Sequence, residues 1–222
     1  MGNIFSSSIG KKLVMSISGL FLLLFLALHL TINLLLLVGP DAFNLAANFM
    51  GTNPIIMIME PILGLGFVIH ILYATIITLK NQTARPQGYK TVDQSNASTW
   101  QSRNMYVLGL IVLSFLIMHV TNFFWNLKFG TVPTVIVDGV EMHNTYLLVT
   151  SLFTTVWWIN PLYIIGALAL GYHLSHGFWS AFHTIGWNNT IWMKRLKVIS
   201  YLYAILIAGG FSIISLYFWL LA

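Results

Sequence analysis

The chain has 222 residues, of which 58% are hydrophobic and only 7% charged, with a net charge of +5 and no cysteine. Charge that sparse cannot coat a water-soluble globule, so composition places the chain among integral membrane proteins. Without cysteine there can be no disulfide, thiolate metal site, iron–sulfur ligation or c-type haem attachment within the chain. Any metal must be held by His, Met or oxygen ligands.

About 20 apolar residues cross a bilayer core. By that measure the sequence predicts an all-α fold, one domain over residues 1–222, with five transmembrane helices at 13–38, 55–79, 104–127, 160–185 and 198–221. The first run is too long for a signal-peptide core and lacks a small-residue cleavage pattern, so no cleaved leader is expected. After it, "GPDAFNLAANFMG" from Gly39 has proline near its start and glycine at its end, as a short helix would. "NTYLLVTSLFTTVWWINP" from Asn144 is too short to cross and ends near paired tryptophans suited to the headgroup level. Both are expected as interfacial helices on the outer side. The polar connection 81–103 is too small for a domain, and its Asn-x-Thr and Asn-x-Ser triplets, lying inside, carry no weight as glycosylation sites.

With the N-terminus inside, Lys11, Lys12, Lys80, Arg85, Lys90, Arg103, Lys194, Arg195 and Lys197 fall on the inner side and Lys128 alone on the outer. Nine against one is a strong positive-inside bias, giving a cytoplasmic N-terminus and, after five crossings, an outer C-terminus. Basic patches set between apolar spans suit membrane orientation better than nucleic-acid binding.

Seven histidines carry the functional signal. His29, His70, His119 and His173 each lie within a different predicted span, and His176 follows one turn after His173. His183 is near the inner end of the fourth span, and His143 is in an outer loop. Ionisable groups inside spans are costly and mark function by default. His29 is 17 residues past Lys12 and His119 is 16 past Arg103. At about 1.5 Å per residue both lie roughly 25 Å from the inner charges. His70 is only 10 residues before Lys80, and 15 past Ile55, while His173 is 13 past Asn160. Two pairs at two depths result: His29 with His119 in the outer half, His70 with His173 in the inner half. A single intramembrane histidine is usually a helix–helix hydrogen bonder, but four matched in depth are what two bis-histidine b haems require. Small residues flank the ligands: Gly166, Gly177 and Ser180 share a face with His173, and Gly66 lies one turn before His70. Gly19 and Gly109 each stand ten residues before a histidine, an internal echo.

The segments "HLTINLLLLVGPDAFNLAANFM", "LGFVIHILYATI", "FLIMHVTN" and "YHLSHGFWSAFHTIGW" resemble, over essentially the whole chain, the five-helix dihaem cytochrome b subunit of succinate:quinone oxidoreductases and fumarate reductases. That resemblance implies a membrane anchor for two cytoplasmic subunits, a flavoprotein with covalent FAD and an iron–sulfur protein, in a bacterial inner (cytoplasmic) membrane. It implies two haem b and a quinone, typically menaquinone near the outer haem, with no dicarboxylate chemistry in this chain. The ligands carry over as His29, His70, His119 and His173. Ser16 and Arg103 become candidates for the inner propionates, an exposed and solvated Arg103 being the plainer alternative. Asn33 and Asn122, one turn outward from the outer ligands, and Glu60, at the outer end of the second span, become quinone-site candidates; fastening of helix ends is the bland alternative. Some fumarate reductases of this kind carry a glutamate in the fourth helix. None is present here, and Gly171 stands two before His173, which points to succinate oxidation. Rival readings are a dihaem anchor for a hydrogenase or formate dehydrogenase, or a haem-free transporter with histidine proton relays.

Overall fold

A computed structural model describes residues 7–84 and 99–221; Arg85, Lys90 and most of the connection expected at 81–103 lie outside the described residues. The first helix, α1 (Ser8–Leu34), starts on Ser7, whose hydroxyl accepts from the Gly10 amide at 3.0 Å, and tightens into a 3₁₀ turn at Leu35–Leu37. Then come α2 (Pro40–Thr52), with proline in its first turn, and α3 (Pro54–Thr83), capped by Asn53. A single turn, α4 (Trp100–Arg103), precedes α5 (Met105–His119), which runs through a π turn at Val120–Trp125 into α6 (Asn126–Phe129). Two strands, β1 (Thr134–Val137) and β2 (Val140–His143), pair antiparallel. The chain ends with α7 (Thr145–Thr155), α8 (Ile159–Thr184) and α9 (Thr190–Leu220).

Among the described residues, four helical segments are long and apolar enough to cross a membrane: Ser8–Leu37, Pro54–Thr83, Met105–Phe129 and Thr190–Leu220. The expected fourth span, α8, meets that test only together with α7, from which it is bent by 105°. The short apolar pieces after Gly39 and Asn144 are helices, as expected, although α7 stops at Thr155 instead of running to Pro161. Two further elements differ from the sequence reading. The hairpin was unforeseen in an all-α chain. Its turn is Asp138-Gly139, both at positive φ (52° and 78°), the pairing that hairpin turns demand. The last helix begins eight residues before the expected 198. Asn189 caps it by accepting from the Trp192 amide at 2.9 Å, so Lys194, Arg195 and Lys197 lie within its first turns.

Packing follows burial. The core runs through α1, α8 and α9, with Leu30, Ile159, Leu174, Ile207 and Phe218 nearly inaccessible. Helix α3 buries only Gly66 and α5 only Leu108, so both are peripheral. Helix α3 packs along α1 and α5 along α8, making two layers. Buried hydroxyls stitch the helices: Ser200 donates to the Ser175 carbonyl (2.6 Å) and Tyr203 to the Leu23 carbonyl (2.5 Å). Helix α2, the hairpin and α7 gather at one end, where the buried Asn44 accepts from the Tyr146 amide (2.8 Å). Among the described residues, Asp41, Glu60, Asp138, Glu141 and Lys128 belong to that end. Lys11, Lys12, Lys80, Arg103, Lys194, Arg195 and Lys197 belong to the other.

Candidate haem-binding sites

The two layers face each other across the four span histidines, and each layer supplies one imidazole at each level. The His29 ring, on α1, has its centroid 5.7 Å from that of His119, on α5. The His70 ring, on α3, stands 6.3 Å from that of His173, on α8. The same rings are thus brought together that helix depth alone pairs.

Hydrogen bonding differs between the levels. At the inner level, His70 Nδ1 lies 3.3 Å from the Met15 carbonyl and 3.4 Å from Ser18 Oγ. Ser18 donates its own proton to the Met15 carbonyl at 3.0 Å, so both neighbours can only accept. His70 Nδ1 therefore carries the hydrogen, and Nε2 keeps its lone pair. The Nδ1 atoms of His119 and His173 are buried without a hydrogen-bond partner, one in each pair. At the outer level the rings sit in an aromatic case: Phe25 stacks on His29 at 5.2 Å, while Phe115, Phe123 and Tyr163 surround His119 at 5.2–6.1 Å.

These features fit a macrocyclic metal. Two imidazoles on opposite sides of one ion, each nitrogen about 2 Å from it, have centroids roughly 6 Å apart. Among the described residues no group of three or more His, Asp or Glu gathers, so each pair offers two protein donors only. A metal whose other positions are filled by a porphyrin needs no more. A buried polar atom without a partner is costly, and the orphaned Nδ1 atoms of His119 and His173 mark two rings held inside the bundle with no protein hydrogen bond at that nitrogen to account for them.

The remaining sequence-predicted residues scatter. Ser16 is buried on α1, one position past the Met15 carbonyl that His70 faces, and Arg103 is exposed at the end of α4. Asn33 donates to the His29 carbonyl at 2.8 Å, with its amide 3.5 Å from His29 Nε2. Asn122, within the π turn, donates to the Tyr163 hydroxyl at 3.1 Å. The Glu60 carboxylate pairs with Lys128 at 3.0 Å, joining the start of α3 to α6. His176 has its ring 4.8 Å from Trp179 and a buried, unpartnered Nδ1; the Lys197 ammonium stands 5.0 Å from the same tryptophan ring. His143 and His183 are exposed. Sequence reasoning missed Ser18 and Tyr163. Each meets its histidine across 52 and 44 residues, and no local motif announces such contacts.

Among the described residues the chain is largely helical, with four apolar candidate spans and two histidine pairs that each join two helices, the architecture of a multi-pass membrane protein. The chain is 26% identical over 181 residues to the succinate dehydrogenase cytochrome b558 subunit of Bacillus subtilis (strain 168), covering 80% of this chain and 79% of that protein. No family model and no solved structure matches it.

Proposed function

We propose that this chain is the membrane-anchor cytochrome b subunit of a succinate:menaquinone oxidoreductase, with five crossings, a cytoplasmic N-terminus and a place in a bacterial cytoplasmic membrane. The observation that carries the reading is the arrangement of four histidines in two levels, each level shared between the two helix layers. The similarity to a succinate dehydrogenase cytochrome b558 subunit supports the choice of enzyme. The basic end of the bundle supports docking of the iron–sulfur and flavin-bearing subunits there.

Two b haems bound at these levels would supply single-electron relay between the cytoplasmic subunits and membrane quinone. His29 with His119, and His70 with His173, are the residues that would hold them. The chain itself does the rest. Its ten-residue spacing from Gly19 to His29 and from Gly109 to His119 sets the two levels roughly 15 Å apart along the axes. The Met15 carbonyl fixes the His70 tautomer, presenting Nε2 as the donor. The aromatic case around the outer pair excludes water. Ser16 and Arg103 are the residues for carboxylates of the inner macrocycle. Asn33 and Asn122 are those for a quinone beside the outer pair, with the Glu60–Lys128 pair at its proton entry. The absence of an acid on α8 near His173 favours the succinate-oxidising direction.

The test is purification of the chain with its partners, followed by absorption spectra in the oxidised and dithionite-reduced states. A b-type spectrum with two potentiometric components and co-purifying covalent flavin is expected. A flat visible spectrum would leave the histidine-relay transporter. Haem travelling with nickel or molybdenum instead of flavin would move the anchor to another respiratory enzyme.

A further inference from the structure

Each helix that carries an outer histidine also presents a glycine to the inner histidine of its neighbour in the same layer. A Cβ built on Gly19, on α1, would lie 3.2 Å from Cε1 and 3.5 Å from Nδ1 of His70. A Cβ on Gly109, on α5, would lie 3.7 Å from Cε1 and 4.0 Å from Nδ1 of His173. The two contacts look alike but differ in consequence. The first is tighter than ordinary packing allows, so the imidazole would have to move by a few tenths of an ångström. It cannot move freely, because Nδ1 is already held by the Met15 carbonyl and faces the Ser18 hydroxyl on the same helix. The second is an ordinary van der Waals separation, and the Nδ1 of His173 has no partner to hold it.

We infer that Gly19 and Ser18 are positioning residues for His70: with the Met15 carbonyl they form a socket on α1 that sets the plane and tautomer of this imidazole, whereas Gly109 only leaves room for His173. The inference rests on the proposed haem ligation. It adds an asymmetry that ligation alone does not require, since one inner imidazole is gripped by its neighbouring helix and the other is set by its own rotamer and the metal. Ligand-plane orientation and the hydrogen bond to the distal ring nitrogen both tune a bound metal, so the socket has a spectroscopic signature of its own.

The experiment uses the purified haem-loaded complex and electron paramagnetic resonance of the oxidised low-spin haems, with redox titration of both components. The component abolished by His70→Ala identifies the inner site. Gly19→Ala should shift the g values of that component and leave the other unmoved, while Gly109→Ala shifts neither. Ser18→Ala, which removes one acceptor and frees the Met15 carbonyl without adding bulk, should move the midpoint of the same component at unchanged haem content. It decides the matter if Gly19→Ala fails to accumulate. An unmoved inner component in Gly19→Ala or in Ser18→Ala, or an equal response to Gly109→Ala, overturns the socket. A wild-type complex without haem overturns the ligation beneath it, and the two failures are told apart before any variant is made.

Discussion

Asn160 sits at the 105° corner between α7 and α8 and is wholly inaccessible. Its amide donates to the Phe153 carbonyl at 2.7 Å, and its side-chain oxygen accepts from Ser215, on α9, at 3.0 Å. The carbonyl of Phe153 is one of the last four of α7, which have no partner within their own helix. In Asn160→Ala that carbonyl is left buried and unpaired, at a cost of about 1–3 kcal/mol. Ser215 fares better, because a serine in a helix can turn its hydroxyl to the carbonyl one turn back. Interhelical hydrogen bonds in membranes average only about 0.6 kcal/mol for this reason. Asn160→Ala should therefore lose about 2–4 kcal/mol, the sum of an orphaned carbonyl, a weakened serine bond and a small cavity. Ser215→Ala leaves the Asn160 side-chain oxygen without its donor but opens little space, and should lose about 1 kcal/mol. Unfolding of the purified protein in detergent, followed by loss of near-ultraviolet circular dichroism, measures both. Equal destabilisation by the two substitutions would refute the reasoning, since it rests on the carbonyl having no alternative donor.

Three further outcomes are expected. His29→Ala and His119→Ala should each abolish one and the same haem component, His70→Ala and His173→Ala the other, while His176→Ala keeps both; redox titration of the five variants checks the pairing. Cysteines introduced at position 90 should resist impermeant thiol reagents in intact cells and label readily in inverted vesicles, and ready labelling from outside would reverse the orientation. Neutralising Lys194, Arg195 and Lys197 together should weaken co-purification of the iron–sulfur subunit without loss of haem; intact co-purification with altered topology would reduce these charges to an orienting role.

The pairing of histidines was legible because depth along a helix is a linear measure. Counting from flanking charges is enough to level His29 with His119 and His70 with His173. Lateral contacts are not linear, and there the sequence falls silent. Asn33 and Asn122 occupy equivalent places one turn beyond the outer ligands, yet the first bonds the backbone of its own helix while the second, in a π turn, reaches Tyr163. Gly19 and Gly109 stand out as an echo, but only packing reveals that each faces the neighbour's histidine and not the one ten residues on. The Asp138-Gly139 turn after the β-branched run Thr134–Val137 is a hairpin signal that the apolar bulk of the chain obscures. A span bounded by its apolar residues starts at 198, whereas the helix itself runs back through three cations, since lysine and arginine are good helix formers and can snorkel from its first turns.

The same physics explains why one of the four helices that carry the paired histidines, α8, is the weakest membrane signal among them. Hydropathy tests rank helices by their fitness to face lipid, and α3, with Gly66 its only buried residue, passes easily. Helix α8 is shielded by its neighbours and buries Asn160, Tyr163, Gly166, Gly171 and Ser175 among others. Several of its polar groups, though not the Nδ1 atoms of His173 and His176, are answered inside the protein: Asn160 by Phe153 and Ser215, the Ser175 carbonyl by Ser200, and the Tyr163 hydroxyl by Asn122. A backbone and side chains so satisfied can cross a bilayer at low apolarity, because lipid never meets them. It follows that His173 costs the fold less on α8 than it would on a lipid-facing helix. His70, on peripheral α3, needs a partner from outside its own helix, and α1 supplies the Met15 carbonyl.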